Sequence, residues 1–94
     1  MENGSEKTVI TVVGKDTVGI IAKVCTYLAE HSINILDISQ TIVQDYFNMM
    51  MIVDLGKSTV PFDECAAKMN EIGEEIGVVI TCQREEIFDM MHRL

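Results

Sequence analysis

Residues 9–24, VITVVGKDTVGIIAKV, exchange one hydrophobic period for another within six positions, and few folds accommodate such a switch. Residues 9–13 are a β-branched run suited to a strand buried on both faces. Ile20, Ile21, Val24, Cys25 and Leu28 then recur at helical spacing. The change falls inside the 14–19 segment, so a tight loop joins strand to helix. A helix start leaves its first N–H groups without intrahelical partners, and their positive end accepts a carboxylate or another anion. In this reading Gly14 allows a sharp turn, Asp16 caps the helix through its carboxylate, and Gly19 admits backbone or ligand closely. The same residues also suit a plain connection, so the loop alone does not decide between the two.

Ninety-four residues support one core and leave no room for a second. Residues 1–6 read as a disordered polar lead, mostly acidic, without the basic start and apolar centre of a secretory signal. No apolar run approaches a membrane span, and a soluble cytoplasmic protein is expected. The formal charge of −8 and the scatter of seven Lys and Arg residues argue against nucleic-acid binding, which depends on phosphate neutralisation. Cys25, Cys65 and Cys82 lie far apart without a CxxC spacing, and their odd number leaves one unpaired in any disulfide scheme. They read as small buried residues in a reducing compartment, with no chemistry assigned.

The remaining pattern sets the order of elements. A first helix spans about residues 18–31, with Lys23, Thr26 and Glu30 outward, and His31 and Ser32 end it. Residues 33–43 form a second strand whose alternation changes phase at Ile35 and Leu36, where a bulge is expected. A turn at 44–46 leads to a third strand over 47–55, antiparallel to the second. Met49, Met50, Met51, Ile52 and Val53 are apolar on both faces, which predicts a central strand covered on each side, the methionines serving mainly as core filling.

After the turn at 56–61, Phe62, Cys65, Ala66, Met69, Ile72 and Ile76 mark one face of a second helix. Its acidic remainder reads as a solvated surface, since no His joins it and no calcium-loop spacing appears; no metal is expected. Gly77 closes this helix, residues 78–83 form a fourth strand, and Ile87, Phe88, Met91 and Leu94 stripe a short C-terminal helix. The result is an α+β, ferredoxin-like β-α-β-β-α-β sandwich: a four-stranded antiparallel sheet of order 4-1-3-2, with both helices on one face. A second subunit or the terminal helix is expected to cover the other face.

Residues 14–20 (GKDTVGI), 34–40 (NILDISQ) and the Met49–Met51 run, in this order and spacing, resemble the ACT domain family. The similarity is closest to small stand-alone ACT proteins and to the ACT units of glycine cleavage repressors, and it covers residues 7–94 as one domain. It implies a non-catalytic regulatory module, a homodimer binding an amino acid at its interface and acting on a regulated enzyme or regulator. The alternative is a dimerisation or protein-interaction module without a small ligand. The implied site is Gly14, Lys15, Asp16, Thr17, Val18 and Gly19 of one subunit with Asn34 and Ile35 of the other. Asn34 opens a strand parallel to the first, so within one subunit it lies at the end opposite the loop; two-fold pairing of second strands brings it towards the partner's loop. Val18 stands where many members of the family carry proline.

Other uses of this element order are not supported. An acylphosphatase needs a first-loop Arg, and this loop offers Lys15; metal chaperones need paired loop cysteines, and the loop has none. No Ser-His-Asp or Cys-His set stands at interpretable spacing, so neither an enzyme nor a cofactor is expected.

Overall fold

The computed structural model describes residues 6–15 and 19–86. The elements follow in the order β1 (Lys7–Lys15), α1 (Ile20–Glu30), β2 (Asn34–Val43), β3 (Tyr46–Asp54), α2 (Phe62–Ile76) and β4 (Val79–Arg84). The sheet order β2-β3-β1-β4 is the expected 4-1-3-2 read from the other edge, and every neighbouring pair is antiparallel. The C-terminal stripe and most of the polar lead lie outside the described residues. Glu6, assigned to that lead, is in fact tied to the sheet: its N–H donates to Asp54 at 2.8 Å and its carbonyl accepts from Leu55 at 2.9 Å.

Alternation builds the core. Thr8, Ile10 and Val12 of β1 and Phe47, Met49, Met51 and Val53 of β3 face the helices and are buried. α1 contributes Ile20, Val24, Tyr27 and Leu28, and α2 contributes Cys65, Met69 and Ile72. Both helices therefore cover one face, and two of the three methionines in the run fill the core.

The opposite face is covered unevenly: Val9 of β1 is 3% exposed, whereas Val13 is 47% exposed and Met50 40%. β2 departs furthest, since all ten of its residues are exposed, including Ile35, Leu36, Ile38, Ile42 and Val43. Its register shifts between Ile35 and Asp37, which is the expected bulge around Leu36. The Gln44-Asp45 turn returns the chain with Gln44 at φ 56°.

A polar pattern at one end of the sheet fixes the strand ends. The Asp54 carboxylate accepts from the N–H groups of Glu6 and Gly56, each at 2.8 Å, and these bonds hold its pKa below the ordinary carboxylate range. The stability they contribute is present above that ordinary range and is lost as pH falls through the lowered folded value.

Thr8 is the exception in this core. It is fully buried and its hydroxyl has no hydrogen-bond partner among the described residues. Thr8→Val removes an unpaired polar group at nearly constant shape and is expected to raise stability by about 1 kcal/mol. Urea unfolding reads this as a higher midpoint; a lower one would show that the hydroxyl is satisfied.

Candidate functional site

The strand-to-helix connection lies where the sequence places it, with its two glycines in exchanged roles. β1 continues through Gly14, which pairs with Phe47, so Gly14 does not turn the chain. It is small because a Cβ there would stand 2.7 Å from Val78 Cγ1 and 3.2 Å from Val78 Cα. Gly19 carries the unusual conformation, with φ 94° immediately before α1, while a Cβ on it would meet nothing within 4 Å. Gly14 thus serves close approach and Gly19 serves the turn, the reverse of the expectation.

The residue preceding α1 is Gly19, and no side chain among the described residues caps the helix there. The first intrahelical bond runs from the Lys23 N–H to the Gly19 carbonyl at 2.9 Å. The N–H groups of Ile20, Ile21 and Ala22 precede it and have no carbonyl in the preceding turn to reach. The positive end of α1 is a place where an anion can be held. Lys15 ends β1 opposite Tyr46. Asp16, Thr17 and Val18 lie outside the described residues.

Asn34 and Ile35 begin β2, and the register sets their distance from the loop. Asn34 pairs with Asp54, whereas Gly14 pairs with Phe47 at the other end of β3. Seven residues of strand separate those partners, roughly 24 Å along the sheet. One chain therefore does not bring Asn34 and Ile35 to the loop. Asp54, beside Asn34 on the ladder, was not singled out from sequence; it looked like the end of a strand, and only the register makes it a neighbour of Asn34.

Among the described residues, clefts also lie between α1 and α2. One of about 390 Å³ is lined by Lys23, Tyr27, Glu30, Lys68, Ile72 and Glu75 among others. Lys23 and Lys68 are already paired with Glu75 at 3.2 Å and Glu71 at 3.5 Å, so their charges are spent within the helix layer. The exposed acidic face of α2 is accordingly a surface, and no group of three or more metal-ligating side chains occurs among the described residues.

Sheet order and helix placement define a small ferredoxin-like α+β module. Comparison with known proteins narrows this class. The ACT domain family model matches residues 6–81. The UPF0237 protein of Bifidobacterium longum is 59% identical over 88 residues, covering 94% of this chain and 98% of that protein. An ACT domain protein from Streptococcus pneumoniae is 39% identical, covers 90% of this chain and 96% of its own, and superposes with a TM-score of 0.77. A putative glycine cleavage system transcriptional repressor shares the fold at 21% identity and a TM-score of 0.74, covering 85% of this chain and 45% of that chain. This chain belongs to the ACT domain family. ACT domains are generally regulatory, ligand-binding modules that commonly dimerise. No helix among the described residues is long and apolar enough to cross a membrane.

Proposed function

We propose that this chain is a non-catalytic, cytoplasmic regulator that binds an amino acid between two copies of itself and acts on an enzyme or regulator. The observation that carries this reading is the start of α1 just beyond the end of central strand β1, with Gly19 at φ 94° before it, together with an edge strand exposed along all ten residues. Five of those ten are apolar, and Asp37 is the only charge among them, so the edge lacks the repulsive charges that keep strands apart. The Asp37 carboxylate accepts from the Ile38 N–H at 2.9 Å, and an incoming carbonyl replaces it on pairing.

Antiparallel pairing of β2 with its copy about a centre near Ile38 and Ser39 sets Asn34 of the second copy beside Val43 of the first. Val43 pairs with Tyr46, and Tyr46 with Lys15. Three strand spacings, about 14 Å, then separate that Asn34 from Lys15, with Val43 and Tyr46 between them at the end of the sheet on which the ligand would rest. The α-carboxylate rests on the N–H groups at the start of α1, with Gly14, Lys15, Thr17, Val18 and Gly19 shaping the loop. Asn34 and Ile35 of the other copy, with Asp16, meet the ammonium or the side chain.

Titration calorimetry against the twenty standard amino acids at millimolar concentration tests the reading, with binding at one site per chain expected. Asp16→Ala is expected to weaken that binding about tenfold, the equivalent of one charge-assisted hydrogen bond, while the dimer mass stays unchanged. Unchanged affinity removes Asp16 from the site. Silence towards all twenty favours the second reading, an interaction module without a small ligand, for which the exposed Val13, Met50 and Val79 on the open sheet face supply a docking surface.

A further inference from the structure

Val9 is buried on the face of the sheet that carries neither α1 nor α2. Along β1, Thr8, Ile10 and Val12 point to the helices, so Val9 points the other way, as do its cross-strand partners Ile52 and Gln83. Val9 is nevertheless only 3% exposed, and Ile52 and Gln83 are half-buried, whereas Val13, Met50 and Val79 on the same face are 40–64% exposed. Among the described buried apolar residues, Val9 alone stands outside the core cluster. Strand neighbours do not account for this burial, because Val13 has them on the same strand and stays open.

The burial exists within a single chain, so the cover over Val9 comes from that chain. Three stretches lie outside the described residues: 1–5, 16–18 and 87–94. Residues 16–18 join β1 to α1 beyond Lys15, which is roughly 20 Å along the strand from Val9. Residues 1–5, MENGS, hold one apolar side chain. Residues 87–94 hold Ile87, Phe88, Met90, Met91 and Leu94, and they begin close by. Gln83 stands directly opposite Val9, β4 ends one residue later at Arg84, and residues 85–86 already turn as a helix. Continued at helical period, Ile87, Phe88, Met91 and Leu94 fall on one side and Glu85, Glu86, Asp89 and Arg93 on the other. Residues 85–94 as a helix span about 15 Å, enough for one end of a strand of about 30 Å and too short for all of it. That length agrees with the bare Val13, Met50 and Val79 towards the other end.

We propose that residues 87–94 continue the helix begun at 85–86 and dock by their apolar stripe on the open sheet face of the same chain, over Val9 and Ile52. The face is thereby divided into a covered end and a free end, and only Val13, Met50 and Val79 are left for another molecule. A helix satisfies its backbone internally, so this cover is held by side chains and lifts without unpairing a strand. A partner that takes the whole face displaces it first.

The test uses the whole chain, isotopically labelled for nuclear magnetic resonance. Nuclear Overhauser contacts are expected from the Phe88 ring to the methyl groups of Val9 and Ile52. In an equal mixture of labelled and unlabelled chains, these contacts are expected to be absent from the isotope-filtered spectrum, which records contacts between chains only. Val9 contacts to residues 1–5 in their place, contacts found only between chains, or none to residues 87–94 each overturns the proposal. Phe88→Asp sets a charge on the docked side and is expected to lower the thermal midpoint by roughly 10 °C. It is also expected to raise the fluorescence of added anilinonaphthalene sulfonate, while Arg93→Ala, on the opposite side, leaves both readings unchanged. Equal midpoints for Phe88→Asp and the unaltered chain would overturn the proposal as well.

Discussion

Gly73→Ala is expected to lower the thermal midpoint by roughly 10–20 °C, the equivalent of about 2–3 kcal/mol in a domain of this size. The direction runs against helix propensity, which favours Ala over Gly by about 1 kcal/mol at an interior helical position. The structure reverses it, because a Cβ on Gly73 would stand 2.7 Å from the Val78 carbonyl oxygen and 3.3 Å from the Ile80 N. Both are backbone atoms, and no rotamer change relieves them. Gly73 is also bound to that segment through its own carbonyl, which accepts from Gly77 at 2.7 Å and Val78 at 2.9 Å. These bonds close α2 through Gly77 at φ 94° and deliver the chain into β4. Relief of the clash therefore breaks the helix closure. Differential scanning calorimetry measures the effect, and an unchanged midpoint would mean that β4 shifts away freely.

The second large effect concerns assembly. Ile38→Asp is expected to convert a dimer of twice 10.5 kDa into a single 10.5 kDa chain in sedimentation equilibrium. Ile38 sits at the middle of β2, next to Asp37, and a two-fold axis there sets the new carboxylates near one another and near both copies of Asp37. Juxtaposed like charges cost about 3 kcal/mol, a weakening of roughly a hundredfold. The single chain keeps its fold, since Ile38 is 45% exposed and lies outside the core cluster. Amino-acid binding is expected to disappear with the dimer although the loop is untouched. Retention of the dimer in the variant would move the interface away from β2, and binding by the single chain would remove Asn34 from the site.

The fold was readable because its signals are local and repeated. The helical spacing from Ile20 to Leu28, the phase change at Ile35 and Leu36, and Gly77 after Ile76 each name an element or its end without reference to anything distant. What could not be read depends on contacts across the chain. Gly14 and Gly73 look like a turn residue and a weak helix residue, and only their shared neighbour Val78, distant from Gly14 in sequence, explains both. What lies over Met50 is a question of the same kind, since alternation shows that a residue is apolar but not what stands opposite it. The placement of Asn34 at the end of the sheet away from Gly14 was legible in the element order, whereas the position of Asp54 beside it required the three-dimensional register.

Thr8 pairs with Arg84, so the described chain enters and leaves the sheet on neighbouring strands at the same end, with the 14–19 loop at the opposite end. Arg84 and Glu6 join across that end at 3.4 Å, and the Arg84 guanidinium lies 4.4 Å from the centre of the Phe62 ring, drawing the start of α2 into the same cluster. One cluster thus ties the first strand, the last strand and the start of α2 together at the end of the sheet away from the loop, so a change that loosens it acts on both ends of the described chain at once.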